Sequence, residues 1–217
     1  MKRAALFDMD RTLLATHTAL LYTRDRRARG EIGILHLLRV MSWIMKYSLG
    51  IVDAERVARA ALRDYRGQSE ASLVTSTEAW FEHAVPQHVR AGARTVVERH
   101  RAAGDVTAIV TSAAPYAARP LARLLGIEHV VATELAVDAE GLLTGEIVDP
   151  LCYGHGKVVR SARLAEALGF ELAESIFYSD SITDLPLLEA VRTPVVVWPD
   201  RRLLRLARRR GWAVENW

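Results

Sequence analysis

The chain has 217 residues, half of them hydrophobic and a quarter charged, with a formal net charge of +3. That is enough for one core carrying an insertion, and the balance is that of a globular chain. Cys152 is the only cysteine, which excludes an intrachain disulfide and Cys-rich metal centres, and the basic excess lacks the aromatic interleaving of a nucleic-acid reader.

In chain order, Ala4 to Phe7 is expected to be a buried strand that runs into Asp8-Met9-Asp10-Arg11-Thr12. The two aspartates interrupt the apolar stretch after Met1-Lys2-Arg3, so no secretory signal is expected, and a reducing, cytoplasmic setting fits the cysteine usage. From Leu13 to about Val85 the pattern is helical. The stretch Ile32 to Val52 is long enough to raise a membrane span, but it contains His36, Arg39 and Lys46. On a helix these three share one narrow face with Trp43, opposite a broad apolar face. An amphipathic helix covered by protein is the expectation, with membrane-surface contact the lesser alternative. Asp53 is expected to cap a helix through Arg66 that stops at Gly67, and Ser69 to cap another running to about Ala84. Trp80 and Phe81 read as core of this helical region.

Beyond Pro86 the pattern predicts a helix from about Val89 to Ala103, a strand Val106 to Val110, and a helix from about Tyr116 to Leu125 stopped by Gly126. Val130 to Val148 reads as a short strand and a hairpin turning at Asp138 to Gly141. A helix Lys157 to Leu168, a strand Ser175 to Tyr178, a short helix Leu185 to Val191, a strand Val195 to Val197 and a basic helix Arg201 to Arg210 follow. Strands alternating with helices argue for an α/β fold, a mainly parallel sheet with helices on both faces. Ligands in such sheets sit at the carboxyl ends of the strands.

Strand residues two apart share a face, so Asp8 and Asp10 can be two carboxylates at one focus, but the pair alone reads better as a solvated turn after a strand. Three polar clusters fall at predicted strand ends: Asp8 with Asp10, Thr111 with Ser112, and Asp180 with Asp184. Lys157 opens a helix after Tyr153-Gly154-His155-Gly156. Phosphoryl transfer needs such a set. A carboxylate can be the nucleophile, a hydroxyl and an ammonium can bind the phosphoryl oxygens, and further carboxylates can hold Mg²⁺.

Four segments, in this order, carry a family resemblance: Phe7-Asp8-Met9-Asp10-Arg11-Thr12, Val110-Thr111-Ser112-Ala113, Gly156-Lys157, and Tyr178-Ser179-Asp180-Ser181-Ile182-Thr183-Asp184-Leu185-Pro186. In order and spacing they resemble the motifs of the haloacid dehalogenase superfamily, specifically its phosphoserine-phosphatase-like subfamily IB. The resemblance covers nearly the whole chain. It implies a Rossmann-like core of residues 1–13 and 86–217 with a small helical cap, 14–85, inserted after the first strand.

Roles also follow from the resemblance. Asp8 is expected to be the nucleophile and a magnesium ligand, and Asp10 the general acid and base, lending its carbonyl to the metal. Thr111 would bind phosphate by hydroxyl and amide, with Ser112 beside it. Lys157 would offset charge on Asp8 and the phosphoryl group. Asp180 would hold magnesium, and Asp184 would reach it through water or orient Lys157. The implied activity is a Mg²⁺-dependent phosphomonoester hydrolase working through an aspartyl-phosphate on a small phosphorylated metabolite. A phosphomutase or phosphotransferase, a membrane-associated lipid-phosphate phosphatase and a non-catalytic binding protein are the alternatives.

Three positions depart from the pattern. Arg11 stands where relatives carry a small residue, and it either approaches the substrate or points to solvent. His17 lies where phosphoserine phosphatases carry a glutamate that meets the substrate's ammonium, so phosphoserine is a poor fit. Thr183 replaces an asparagine. The helical region offers His17, Arg24, Arg26, Arg27, Arg39 and Lys46, which suits an anionic or amphiphilic phosphomonoester if these are not simply a solvated basic surface. His155, next but one to Lys157, is a further candidate near the site. Nothing points to a nucleic-acid partner.

Overall fold

Strand β1 (Ala4–Phe7) is fully buried on both faces, which is why it reads as an unbroken apolar run. Its side chains alternate between two cores. Ala5 and Phe7 join one cluster, Ala4 and Leu6 the other. The computed structural model describes residues 2–48, Arg56, Arg59 and 62–217. The helix expected between Asp53 and Arg66 lies mostly outside these. Of that stretch, Arg63–Tyr65 is a single tight turn.

The remaining strands are β2 (Val106–Val110), β3 (His129–Val131), β4 (Leu135–Val137), β5 (Leu143–Ile147), β6 (Ile176–Ser179), β7 (Thr193–Val197) and β8 (Ala213–Glu215). Five of them join β1 in one parallel sheet in the order β3-β2-β1-β6-β7-β8, and β4 with β5 form a separate antiparallel hairpin. β8 is the one strand the sequence does not announce. It is a three-residue edge strand with Ala213 and Val214 exposed, so it carries no burial pattern to read.

Helices cover both faces of the sheet. On one side pack α4 (Ala93–Ala102) and α5 (Pro115–Leu125), through Val96, Val97, Ala118, Leu121 and Leu125. On the other side are α6 (His155–Leu168), α7 (Leu185–Ala190) and α8 (Arg201–Arg210), through Ala165, Leu187, Leu188, Leu203 and Ala207. Helix α4 starts later than expected. Val89 is taken by an antiparallel bridge to Leu14, and Arg90 N–H bonds the Leu13 carbonyl, so the helix begins only after Gly92.

That bridge ties together the two ends of a helical excursion. It contains α1 (Thr18–Ala28), α2 (Ile34–Ser48) and α3 (Glu70–Ala84), the last capped as expected by Ser69, whose hydroxyl accepts from Ser72 N–H. Trp80 and Phe81 of α3 are buried in the first cluster, as core residues should be. Glu70 and Glu78 of α3 accept hydrogen bonds from Tyr116 and Arg123 of α5. No helix among the described residues is long and apolar enough to cross a membrane.

Candidate active site

The carboxyl ends of β1 and β6 lie side by side, and there the polar clusters meet. Asp8 prolongs the ladder, donating its amide to the Tyr178 carbonyl at 2.9 Å. The chain then makes a wide turn over Met9–Leu13, closed by Leu14 N–H on the Met9 carbonyl. Asp10 therefore reaches the site through a turn and not by the alternation of a strand. Arg11 adopts φ 62, a left-handed conformation that costs a side-chain-bearing residue roughly 1 kcal/mol or more. Its carbonyl is held there by both Nε and Nη2 of Arg90, at 3.2 and 2.9 Å.

Lys157 is the hub. Its ammonium lies 2.7 Å from Asp8 Oδ1 and 2.8 Å from Asp184 Oδ2, and the residue is 2% exposed. Burial opposes its charge, but Asp184 and Asp8 outweigh burial and hold its pKa well above the usual lysine value. The preceding glycines explain how it gets there. A Cβ on Gly156 would lie 1.9 Å from the Leu151 carbonyl oxygen, so only glycine lets the first turn of α6 press against that loop. Gly154, at φ 52, opens the helix.

The carboxylates are differently placed. Asp8 is pushed well up by burial and by Asp184 and Asp180, with Lys157 opposing. Asp10 accepts the amide of Thr18 at 3.0 Å and its hydroxyl at 3.2 Å, and burial raises it to about 6 against those bonds. Asp180 bonds Arg11 Nε at 2.9 Å. Burial raises it to about 7, with Arg11 opposing. Asp184 accepts from Ser179 Oγ at 2.7 Å.

Among the other expected site residues, Thr111 is 2% exposed at the end of β2. Its amide is spent on the Val131 carbonyl and its hydroxyl accepts from Ala113 N–H, so the hydroxyl is the group with capacity left. Ser112 is half-buried beside it. His17 precedes α1 with Nδ1 3.9 Å from Asp10 Oδ2, and burial, then Arg11, lower its pKa to about 4. The ring is neutral at neutral pH. His155 is exposed.

Four supporting groups escaped the sequence reading. Thr12 Oγ1 donates to Asp8 Oδ2 at 3.3 Å, Thr18 holds Asp10, Ser179 holds Asp184, and Arg90 holds Arg11. Thr12 and Ser179 stand inside the motif segments and could have been weighed. Arg90 lies 79 residues from Arg11, and nothing local marks it.

Residues 5–189 match the model of the haloacid dehalogenase-like hydrolase family. A Mycobacterium tuberculosis protein named phosphoserine phosphatase is 32% identical over 98% of this chain and 70% of its own length. A Neisseria meningitidis protein named histidinol-phosphatase is 28% identical over 100% of this chain and 99% of its own. Among solved structures, a Bordetella pertussis protein of unknown function superimposes with a TM-score of 0.87 at 33% identity, covering 99% of this chain and 98% of that one. The parallel sheet, the three polar clusters at its carboxyl edge with Lys157 among them, and these matches agree: the chain belongs to the haloacid dehalogenase-like hydrolase family and is an enzyme of its phosphatase type.

Proposed function

We propose that the protein hydrolyses small phosphomonoesters with Mg²⁺, through an aspartyl-phosphate on Asp8. The observation that carries this is the Lys157 ammonium bridging Asp8 and Asp184 at the carboxyl edge of the sheet. Asp8, fixed in the ladder and charge-paired with Lys157, attacks phosphorus in line. Asp10, poised near 6, gives a proton to the departing alkoxide and takes one back from the water that cleaves the acyl-phosphate. Thr111 and Lys157 bind phosphoryl oxygens. Residues 14–85 act as the cap that excludes bulk water from this step.

The donors suit magnesium. Asp8, Asp180 and the Asp10 carbonyl are all hard oxygens, and the buried carboxylates raise one another's proton affinity, which calls for a cation. Among the described residues no group of three His, Cys, Asp or Glu side chains is placed to hold a metal ion by itself. Asp184 is tied to Lys157 and Ser179, and Asp180 to Arg11. Asp8, Asp180 and the Asp10 carbonyl would hold the ion, and Asp184 would orient Lys157 beside it. When bound, Mg²⁺ supplies positive charge to the phosphoryl oxygens.

The substrate is an alcohol phosphate other than phosphoserine. Neutral His17 beside Asp10 offers no negative charge to a substrate ammonium. The relatives' names make phosphoserine and histidinol phosphate the two arms that a substrate panel must include. We expect phosphate release from phosphates of uncharged alcohols, such as sugar phosphates, in Mg²⁺ and none in EDTA, with phosphoserine at least about tenfold less efficient than the best substrate. Turnover unaffected by EDTA overturns the metal assignment, and efficient phosphoserine turnover overturns the reading of His17.

Asp10→Asn separates catalysis from stability. Loss of the proton donor lowers kcat by about 10²- to 10⁴-fold. Because folding raises this carboxyl from its ordinary 3.8 to about 6, the folded chain binds the proton more tightly than the unfolded one. The cost of ionisation is full above about 6 and vanishes toward 4. The variant is therefore more stable than the parent at pH 8, by about 1–2 kcal/mol in metal-free buffer once the 24% exposure of the carboxylate is allowed for. The gain fades as pH falls through 6. Denaturant melts at pH 8 and pH 4.5 check the sign.

A further inference from the structure

Helix α2 does not bury its apolar face. Ile34, Leu35, Leu38, Met41 and Met45 are 46, 79, 53, 43 and 60% exposed. Their spacing of three and four places Ile34, Leu38, Met41 and Met45 in one row with Leu35 alongside. Leu37 on another side is buried, and Val40 and Ile44 are half-buried, so the helix is seated on the protein and turns its second apolar side outward. A contiguous apolar row of this kind on a surface marks a contact site.

The charge around it is one-signed. Residues 18–48 hold Arg24, Arg26, Arg27, Arg29, Arg39 and Lys46 against Asp25 and Glu31, a net +4, in a chain whose total is +3. All other residues together therefore sum to −1. The two acids are already engaged: Glu31 pairs with Arg26 and Arg29, and Asp25 pairs with Arg29. Arg24, Arg27, Arg39 and Lys46 have no acidic partner among the described residues, and Arg39 lies 4.5 Å over the Trp43 ring on the polar face of α2.

We propose that this face docks on an anionic phospholipid surface, the apolar row entering the interface while the cations meet the headgroups. Its charge argues against a second copy as occupant. A two-fold pairing sets each patch against itself and brings the same cations together from both sides. The inference concerns α2 alone and stands apart from the chemistry of the Asp8 site.

The test is co-sedimentation of the full chain with vesicles of phosphatidylcholine carrying increasing phosphatidylglycerol. Pelleting should rise with phosphatidylglycerol and fall at least about tenfold in about 0.5 M salt. Leu35→Glu/Leu38→Glu should abolish it. Arg39→Gln/Lys46→Gln should weaken it by about 25-fold, taking about fivefold for each cation at the surface. Leu35→Glu/Leu38→Glu should hydrolyse a soluble aryl phosphate at the parent's rate, and both variants should keep the parent's thermal melt, which shows that they are folded and keeps this test apart from that of the catalytic reading. The proposal fails if the parent does not pellet at high phosphatidylglycerol. It fails equally if Leu35→Glu/Leu38→Glu pellets like the parent, or if light scattering shows a dimer that this variant dissociates, which would assign the face to a second copy.

Discussion

Asp8→Asn is expected to eliminate turnover, by on the order of 10⁴-fold or more, in a protein that still folds. The amide is nearly isosteric, can keep the contact with Thr12 and can still accept from Lys157, but it has no anionic oxygen to attack phosphorus. Stability should change little, because two effects oppose. The variant loses half of the Lys157 bridge, yet Lys157 keeps Asp184, and the repulsion that pushes the buried Asp8 carboxyl upward disappears. Steady-state hydrolysis of an aryl phosphate, read beside a thermal melt, tests both halves. A variant as active as the parent would remove Asp8 from the nucleophile's place, and one that is inactive because unfolded would show it in the melt.

Lys157→Met should cost more than activity. It keeps the volume but leaves Asp8 and Asp184 buried with no ammonium between them, and breaking a buried pair by removing one partner costs about 3–5 kcal/mol. For a chain of this size that is a fall in Tm of roughly 10 °C. The sign with pH is fixed by the raised values. The lysine's own contribution is complete below its ordinary 10.5 and is lost only as pH rises through its higher folded value. In the variant, the burial penalty on Asp8 applies where that carboxyl must ionise, so the deficit is largest near pH 8 and narrows as pH falls. A deficit under about 1 kcal/mol at pH 8, or one that grows on acidification, would mean that Lys157 is not the group compensating these carboxylates.

The candidate site was legible because most of the residues proposed to react follow an apolar run whose end is readable. Phe7 precedes Asp8, Val110 precedes Thr111, and Tyr178 lies just before Asp180, while glycines mark the turn before Lys157. Parallel strands bring such ends to one edge, so four separated segments became one cluster. What stayed hidden depends on contacts across the chain. Arg11 offered a choice between substrate and solvent, whereas its Nε lies on Asp180, because Arg90 fixes the backbone of a left-handed residue. The start of α4 was misplaced because Val89 is claimed by Leu14, a pairing invisible to helical periodicity. The supporting hydroxyls of Thr12, Thr18 and Ser179 have the composition of any turn until their partners are placed.

The strand order also sets a timetable for assembly. β1 emerges first, yet its neighbours in the sheet start at Val106 and Ile176, and its ammonium partner is Lys157. Both edges of Ala4–Phe7 therefore wait on late-arriving chain. While the helical excursion is being made, this segment is an apolar strand with open edges followed by two uncompensated aspartates, and its ladder on the β6 side closes only when Ile176 to Tyr178 are available. No N-terminal fragment that stops short of Asp184 can hold the bridge between Asp8, Lys157 and Asp184, so in this topology the three charges come together only after β6 has joined the sheet.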